Sequence, residues 1–120
     1  MGEIVTQIQT REKYIRLIQT NHLGIFIQFT ANWCSPCKTI EPIINEFFKE
    51  MSTTILCCKL DIDLNSDIYN FLKRKKMING IPCLFYYDKD NHEIPPDAMI
   101  TGANISKIKT FLNDIKNKSF

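Results

Sequence analysis

Nowhere in its 120 residues does this sequence carry an apolar run long enough to cross a bilayer, so a membrane-spanning helix is not expected. Its start, Met1-Gly2-Glu3-Ile4, has neither the basic stretch nor the apolar core of a secretion signal. Gly2 and Thr6 satisfy an acylation pattern only weakly, and an unmodified start is expected. Charge of one sign is scarce too: a net +2 is too little to point to nucleic acid or to a membrane surface. No repeat, linker or low-complexity segment appears, and the length suits a single domain, 1–120, with one core. The cysteines, five in number, are odd and lack the regular spacing of a disulfide framework. A reducing, cytoplasmic setting is therefore expected, and the chain is taken to work as a monomer.

What is present is concentrated in Phe29-Thr30-Ala31-Asn32-Trp33-Cys34-Ser35-Pro36-Cys37-Lys38. It ends an apolar run, Gly24 to Phe29, and opens a segment whose apolar positions Ile40, Ile43, Ile44, Phe47, Phe48 and Met51 repeat with helical period. The cysteines thus stand at a strand-to-helix junction. The first turn of a helix offers unpaired N–H groups and the positive end of the dipole, so a thiolate at Cys34 is favoured there. Cys37 follows one turn later, within disulfide reach. Pro36 fits the first turn, where its missing N–H costs no helical bond. Cys34 reads as the attacking sulfur and Cys37 as the resolving one. The competing reading, half of a zinc site, needs two further ligands. Cys57, Cys58, Cys83, His22 and His92 form no second C-x-x-C or C-x-x-H unit, so no metal is expected.

The elements alternate along the chain. Ile4 to Ile8 reads as a short strand, and Thr10 as the cap of a helix over Arg11 to Gln19. Ile25 to Phe29 is the central strand, and Thr53 to Leu60 a further one. Asn65 or Ser66 caps a helix with Ile68, Phe71 and Leu72 inward, and Lys73 to Lys76 suit its C-terminal end. Cys83 to Tyr87 and Met99 to Thr101 read as an antiparallel hairpin, with Pro95-Pro96 confining the second strand to an edge. Asn104 caps the last helix. The order implies an α/β fold, a central mixed sheet with helices on both faces.

Trp33-Cys34-Ser35-Pro36-Cys37-Lys38 resembles the Trp-Cys-Gly-Pro-Cys-Lys active site of thioredoxins. Pro42 resembles the proline that kinks their active-site helix, and Lys59-Leu60-Asp61-Ile62-Asp63 their third strand. Gly80-Ile81-Pro82 resembles the segment holding their cis-proline, and Thr101-Gly102-Ala103-Asn104 the loop before their last helix. The resemblance implies the thioredoxin fold and reduction of protein disulfides by dithiol–disulfide exchange. It implies a redox-active Cys34–Cys37 pair, no bound cofactor, and recharging by an NADPH-dependent thioredoxin reductase.

By the same resemblance Trp33, Ile81, Pro82, Gly102 and Ala103 line a groove for an extended substrate, with Ile81–Pro82 cis, while Ser35, Pro36 and Lys38 support the site. Gln28 departs from the family, which carries a buried aspartate there as proton acceptor for the resolving thiol. Lys59, beside it, is then expected to lack its usual partner. The bland reading of Gln28 is a satisfied buried polar residue. Ser35, in place of glycine, offers a hydroxyl that can hydrogen-bond the thiolate. Cys57 and Cys58, adjacent on a strand, point to opposite faces and read with Cys83 as buried apolar residues. His92 and the Lys73–Lys76 run read as solvated surface, and the Asp88–Ala98 loop, a few residues longer than in typical thioredoxins, reads as a specificity feature or a tolerated hairpin insertion. Two other functions fit the motif: a disulfide oxidant or isomerase, and a binding module that holds partners in the groove with redox turnover incidental.

Overall fold

The computed structural model describes residues 2–119. In chain order the elements are β1 (Ile4–Val5), α1 (Arg11–Gln19), β2 (Ile25–Thr30), α2 (Ser35–Met51), β3 (Leu56–Asp61), α3 (Ser66–Arg74), β4 (Cys83–Tyr87), β5 (Ala98–Thr101) and α4 (Ile105–Ser119). The sheet order is β1-β3-β2-β4-β5. β1, β3 and β2 are parallel, whereas β4 runs antiparallel to β2 and β5 antiparallel to β4. β2, central and wholly buried, has no exposed residue to alternate with, as expected of a strand covered on both faces.

Alternation along β2 divides the core. Ile25, Ile27 and Phe29 face Tyr14 and Ile18 of α1 and Ile68 and Leu72 of α3, while Phe26 faces Ile40, Ile44, Phe47 and Phe48 of α2 and Ile108 and Leu112 of α4. Cys58 falls in the first cluster and Cys57 in the second, on opposite faces as their adjacency requires. Edge-to-face rings, Phe26 on Phe48 and Phe29 on Phe85, pin both faces of β2.

Thr10 caps α1 through its Oγ1, which accepts from Lys13 N, and Asn104 caps α4 by accepting from Lys107 N. Three local expectations are corrected. The first strand pairs only over Ile4–Val5, because the backbone beyond it bonds to a side chain: Asn65 Oδ1 accepts from Ile8 N at 2.8 Å and Asn65 Nδ2 donates to Thr6 O at 3.3 Å. For the same reason Asn65 occupies the N-cap position of α3 without capping it by its side chain. The third strand begins at Leu56, not Thr53, because Thr54 N and Ile55 N still bond to Met51 O in the turn that ends α2.

The Asp88–Ala98 segment is tied down. Tyr87 Oη donates to Ile94 O at 2.5 Å, Asp97 Oδ2 accepts from Asp88 N at 2.6 Å, and His92 Nε2 lies 2.8 Å from Asn21 O. His92 is exposed but not merely solvated. Lys73, Arg74, Lys75 and Lys76 are exposed, with Lys75 over the ring of Phe71.

Candidate active site at the mouth of α2

Where β2 ends, the chain turns through Ala31–Trp33, closed by Cys34 N donating to Ala31 O at 3.2 Å. Cys34 takes the N-cap position of α2 with extended backbone, φ −89° and ψ 106°. Its Sγ accepts from the Cys37 N–H at 3.2 Å, one of the N–H groups that the helix itself leaves unpaired. Pro36 occupies the first turn, where it forfeits no bond. This donor and the helix dipole favour negative charge on the Cys34 sulfur. The hydrogen bond on Sγ thus comes from the Cys37 backbone rather than from the Ser35 hydroxyl, because the first turn aims its N–H groups at the cap; Ser35 and Lys38 are exposed.

Cys34 and Cys37 form a disulfide, with Cα atoms 5.3 Å apart. The two sulfur-bearing residues are not equivalent: Cys34 is 5% exposed and Cys37 0%. Of the two, only Cys34 retains any exposed surface. Within a bonded pair neither sulfur is free for a metal, and no cluster of three or more metal-ligating side chains is found among the described residues.

Beside Cys34, Trp33 is 65% exposed, and its Nε1–H donates to Asp63 Oδ2 at 2.8 Å. Leu64, next in the chain to Asp63, is also exposed. On the other side the register pairs Phe29 with Cys83, which puts Pro82 at the end of β2 from which the Cys34 turn departs. The Ile81–Pro82 bond is cis. Gly102 N donates to Pro82 O at 2.9 Å, and Gly102 sits at φ +102°, a conformation that side chains resist. Ala103 is half-buried against the α2–α4 core. Of the expected groove residues, Ile81 packs on the cluster that holds Cys34, and Pro82 is tied to Gly102.

Gln28 is fully buried on the face covered by α2, in register with Lys59 on one side and Leu84 on the other. Neither Gln28 Oε1 nor Nε2 has a hydrogen-bond partner among the described residues, so it is not the satisfied polar residue that one reading expected. Nor is Lys59 without a partner. Its Nζ donates to Glu41 Oε1 of α2. With no carboxylate at position 28, the ammonium turns outward to the one that α2 supplies. Glu41 and Asp63 are the two site residues that sequence reasoning missed. For Glu41 a signal existed, since it stands four residues after Cys37 on the same helix face; for Asp63 none did, because its partner is distant in sequence.

Cys57, Cys58 and Cys83 are free and buried. Burial pushes the Cys57 thiol up to about 12 and Cys83 to about 11, the latter opposed by a hydrogen bond from Thr101 Oγ1, and it raises Cys58 further. All three pack in the core clusters on either side of the sheet.

A family model described as thioredoxin matches residues 5–114. The chain belongs to the thioredoxin family. It is 31% identical over 106 residues to thioredoxin-2 of Saccharomyces cerevisiae, a match that covers 88% of this chain and 93% of that one. To the thioredoxin of Pseudomonas aeruginosa it is 33% identical over 89 residues, covering 74% and 76%. The solved structure of Trichomonas vaginalis thioredoxin superposes with a TM-score of 0.73 at 26% identity, covering 93% of this chain and 96% of that one. The fold is the thioredoxin fold, and the activity that goes with this family and its C-x-x-C pair is thiol–disulfide exchange that reduces protein disulfides. No described helix is long and apolar enough to cross a membrane.

Proposed function

We propose that Cys34 is the nucleophile and Cys37 the resolving thiol of a general protein-disulfide reductase. The observation that carries this assignment is the asymmetry of the pair: Cys34 alone reaches the surface, at the helix N-terminus and with an N–H donor on its sulfur. The Cys34 thiolate attacks a substrate sulfur and forms a mixed disulfide; Cys37 then attacks Cys34 and releases the reduced substrate. An extended substrate segment lies in the groove of Trp33, Ile81, Pro82, Gly102 and Ala103, where main-chain pairing gives affinity without a sequence requirement. Ser35, Pro36 and Lys38 hold and border the pair, and Gln28 and Lys59 lie beneath it.

The oxidised pair is recharged by an external dithiol, which family membership suggests is an NADPH-dependent thioredoxin reductase, and no cofactor binds the chain itself. The protein works as a single-domain monomer in a reducing, cytoplasmic setting, with which three free thiols are in keeping. The assignment is tested by redox titration in dithiothreitol and glutathione buffers with mass mapping of the alkylated cysteines. A reducing potential confined to Cys34 and Cys37 is expected, with Cys34→Ser inactive and Cys37→Ser trapping substrates covalently. An oxidising potential points to an oxidant or isomerase. A Cys34→Ser protein that keeps its function points to a binding module.

A further inference from the structure

One proton in the exchange has no acceptor at position 28. Once Cys34 is joined to a substrate, Cys37 must lose its Sγ proton before it can attack, because the thiolate is the nucleophile. Cys37 is fully buried, so bulk water does not reach it directly, and the amide of Gln28 cannot titrate.

Among the carboxylates of α2, the one nearest to Cys37 along the helix is Glu41. It follows Cys37 by four residues on α2, which sets their Cβ atoms about 5–6 Å apart on one helix face. Helical side chains lean toward the N-terminus, so Glu41 reaches back over the turn that contains Cys37. Lys59 fixes it there from β3, its Nζ donating to Glu41 Oε1. The two side chains are 33% and 32% exposed, half in the protein and half in solvent. Lys59 is the register partner of Gln28, whose unpartnered amide lies on the sheet face that α2 covers.

We propose that Glu41, oriented by Lys59, accepts the Cys37 proton in the resolving step; this rests on the assignment of Cys37 as the resolving thiol. The Cys37 S–H bond breaks and its proton passes to the Glu41 carboxylate. The Cys37–Cys34 S–S bond forms, the Cys34–substrate S–S bond breaks, and the substrate sulfur leaves as a thiolate. The protein dithiol is oxidised by two electrons and the substrate disulfide is reduced by the same two. Glu41, open to solvent on one side, then returns the proton to water. The other charges in position to face it are Lys38, three residues earlier on α2, and Asp61, two residues beyond Lys59 on the same face of β3. The α4 lysines stand farther along α2, Lys109 and Lys116 beside Glu46 and Glu50.

The test mixes reduced protein with the chromogenic disulfide of thionitrobenzoate in a stopped-flow instrument. The first thionitrobenzoate released reports attack by Cys34 and the second reports resolution by Cys37. Glu41→Gln, near-isosteric, is expected to leave the first release within about twofold and to slow the second about tenfold or more at neutral pH, the scale of a lost general base. Its second phase then climbs with hydroxide concentration, whereas the wild-type rate stays nearly level, and Glu41→Asp regains the level profile. A thermal melt matching wild type excludes misfolding as the cause. A Glu41→Gln second phase with the wild-type rate and pH profile overturns the proposal. A wild-type second release no faster than that of Cys37→Ser overturns instead the assignment of Cys37, and the proposal with it.

Discussion

The indole Nε1 of Trp33 donates to Asp63 Oδ2 across 2.8 Å, which ties the exposed ring beside Cys34 to the loop that follows β3. Asp63 is itself set by its own backbone N–H, which donates to Asp61 Oδ1 at 2.8 Å. The ring is thus a positioned wall beside Cys34, although the residue is 65% exposed.

Asp63→Ala releases that wall. Protein substrates are expected to lose roughly two- to tenfold in kcat/KM, the worth of one hydrogen bond, while a small aromatic disulfide reacts at the wild-type rate. Trp33 is the sole tryptophan, so a change in emission independently shows that the ring has moved.

Gln28 buries an amide whose two polar atoms have no partner among the described residues. Replacing it with leucine removes that penalty at similar volume, and Gln28→Leu is expected to raise stability by about 1–2 kcal/mol in urea titrations at fixed redox state. Unchanged or lower stability shows that the amide is satisfied after all. Gln28→Asp places a carboxylate there, and its resolving rate is expected to acquire a new pH dependence.

Asp67 of α3 accepts from Arg11 three times, from the backbone N (2.8 Å), Nε (3.1 Å) and Nη2 (2.6 Å), joining α3 to the start of α1. These hydrogen bonds hold the carboxyl below its usual range. A carboxyl depressed on folding stabilises above its unfolded value, about 3.9, and loses that contribution as pH falls through the lower folded value. Urea titrations of Asp67→Asn are therefore expected to show a smaller drop from pH 7 to pH 3 than wild type does. An equal drop shows that the pair does not report on folding.

The raised thiols of Cys57 and Cys83 have the opposite sign. Above about pH 8.5 the unfolded thiols ionise while the buried ones, at about 12 and about 11, do not, so stability falls as pH rises. Native alkylation of the reduced protein at mildly alkaline pH is expected to label Cys34 first and to spare Cys57, Cys58 and Cys83 until urea opens the core. Early labelling of Cys83 contradicts its assignment to packing.

Chain order, helical periods and the C-x-x-C motif make the active-site architecture legible, because each depends on residues near one another in sequence. Trp33, Cys34 and Cys37 can be placed at a helix mouth from the apolar spacing Ile40, Ile44 and Phe47 alone. Gly102 and Pro82 are recognisable only as motifs, and their hydrogen bond is not. The strand at Ile4–Val5 is shorter than its β-forming residues suggest because Asn65, far along the chain, takes the bonds of Thr6 and Ile8.

By itself the sequence determined the reactive pair, the helix that activates it and the alternation that builds the sheet, since turn chemistry, caps and periodicity act locally. Only the tertiary structure decided which charges meet. Lys59 pairs with Glu41 instead of standing alone, Trp33 finds Asp63, and Gln28 finds no partner, because charged and polar side chains settle on whatever β3, α2 and the intervening loops bring within hydrogen-bond reach.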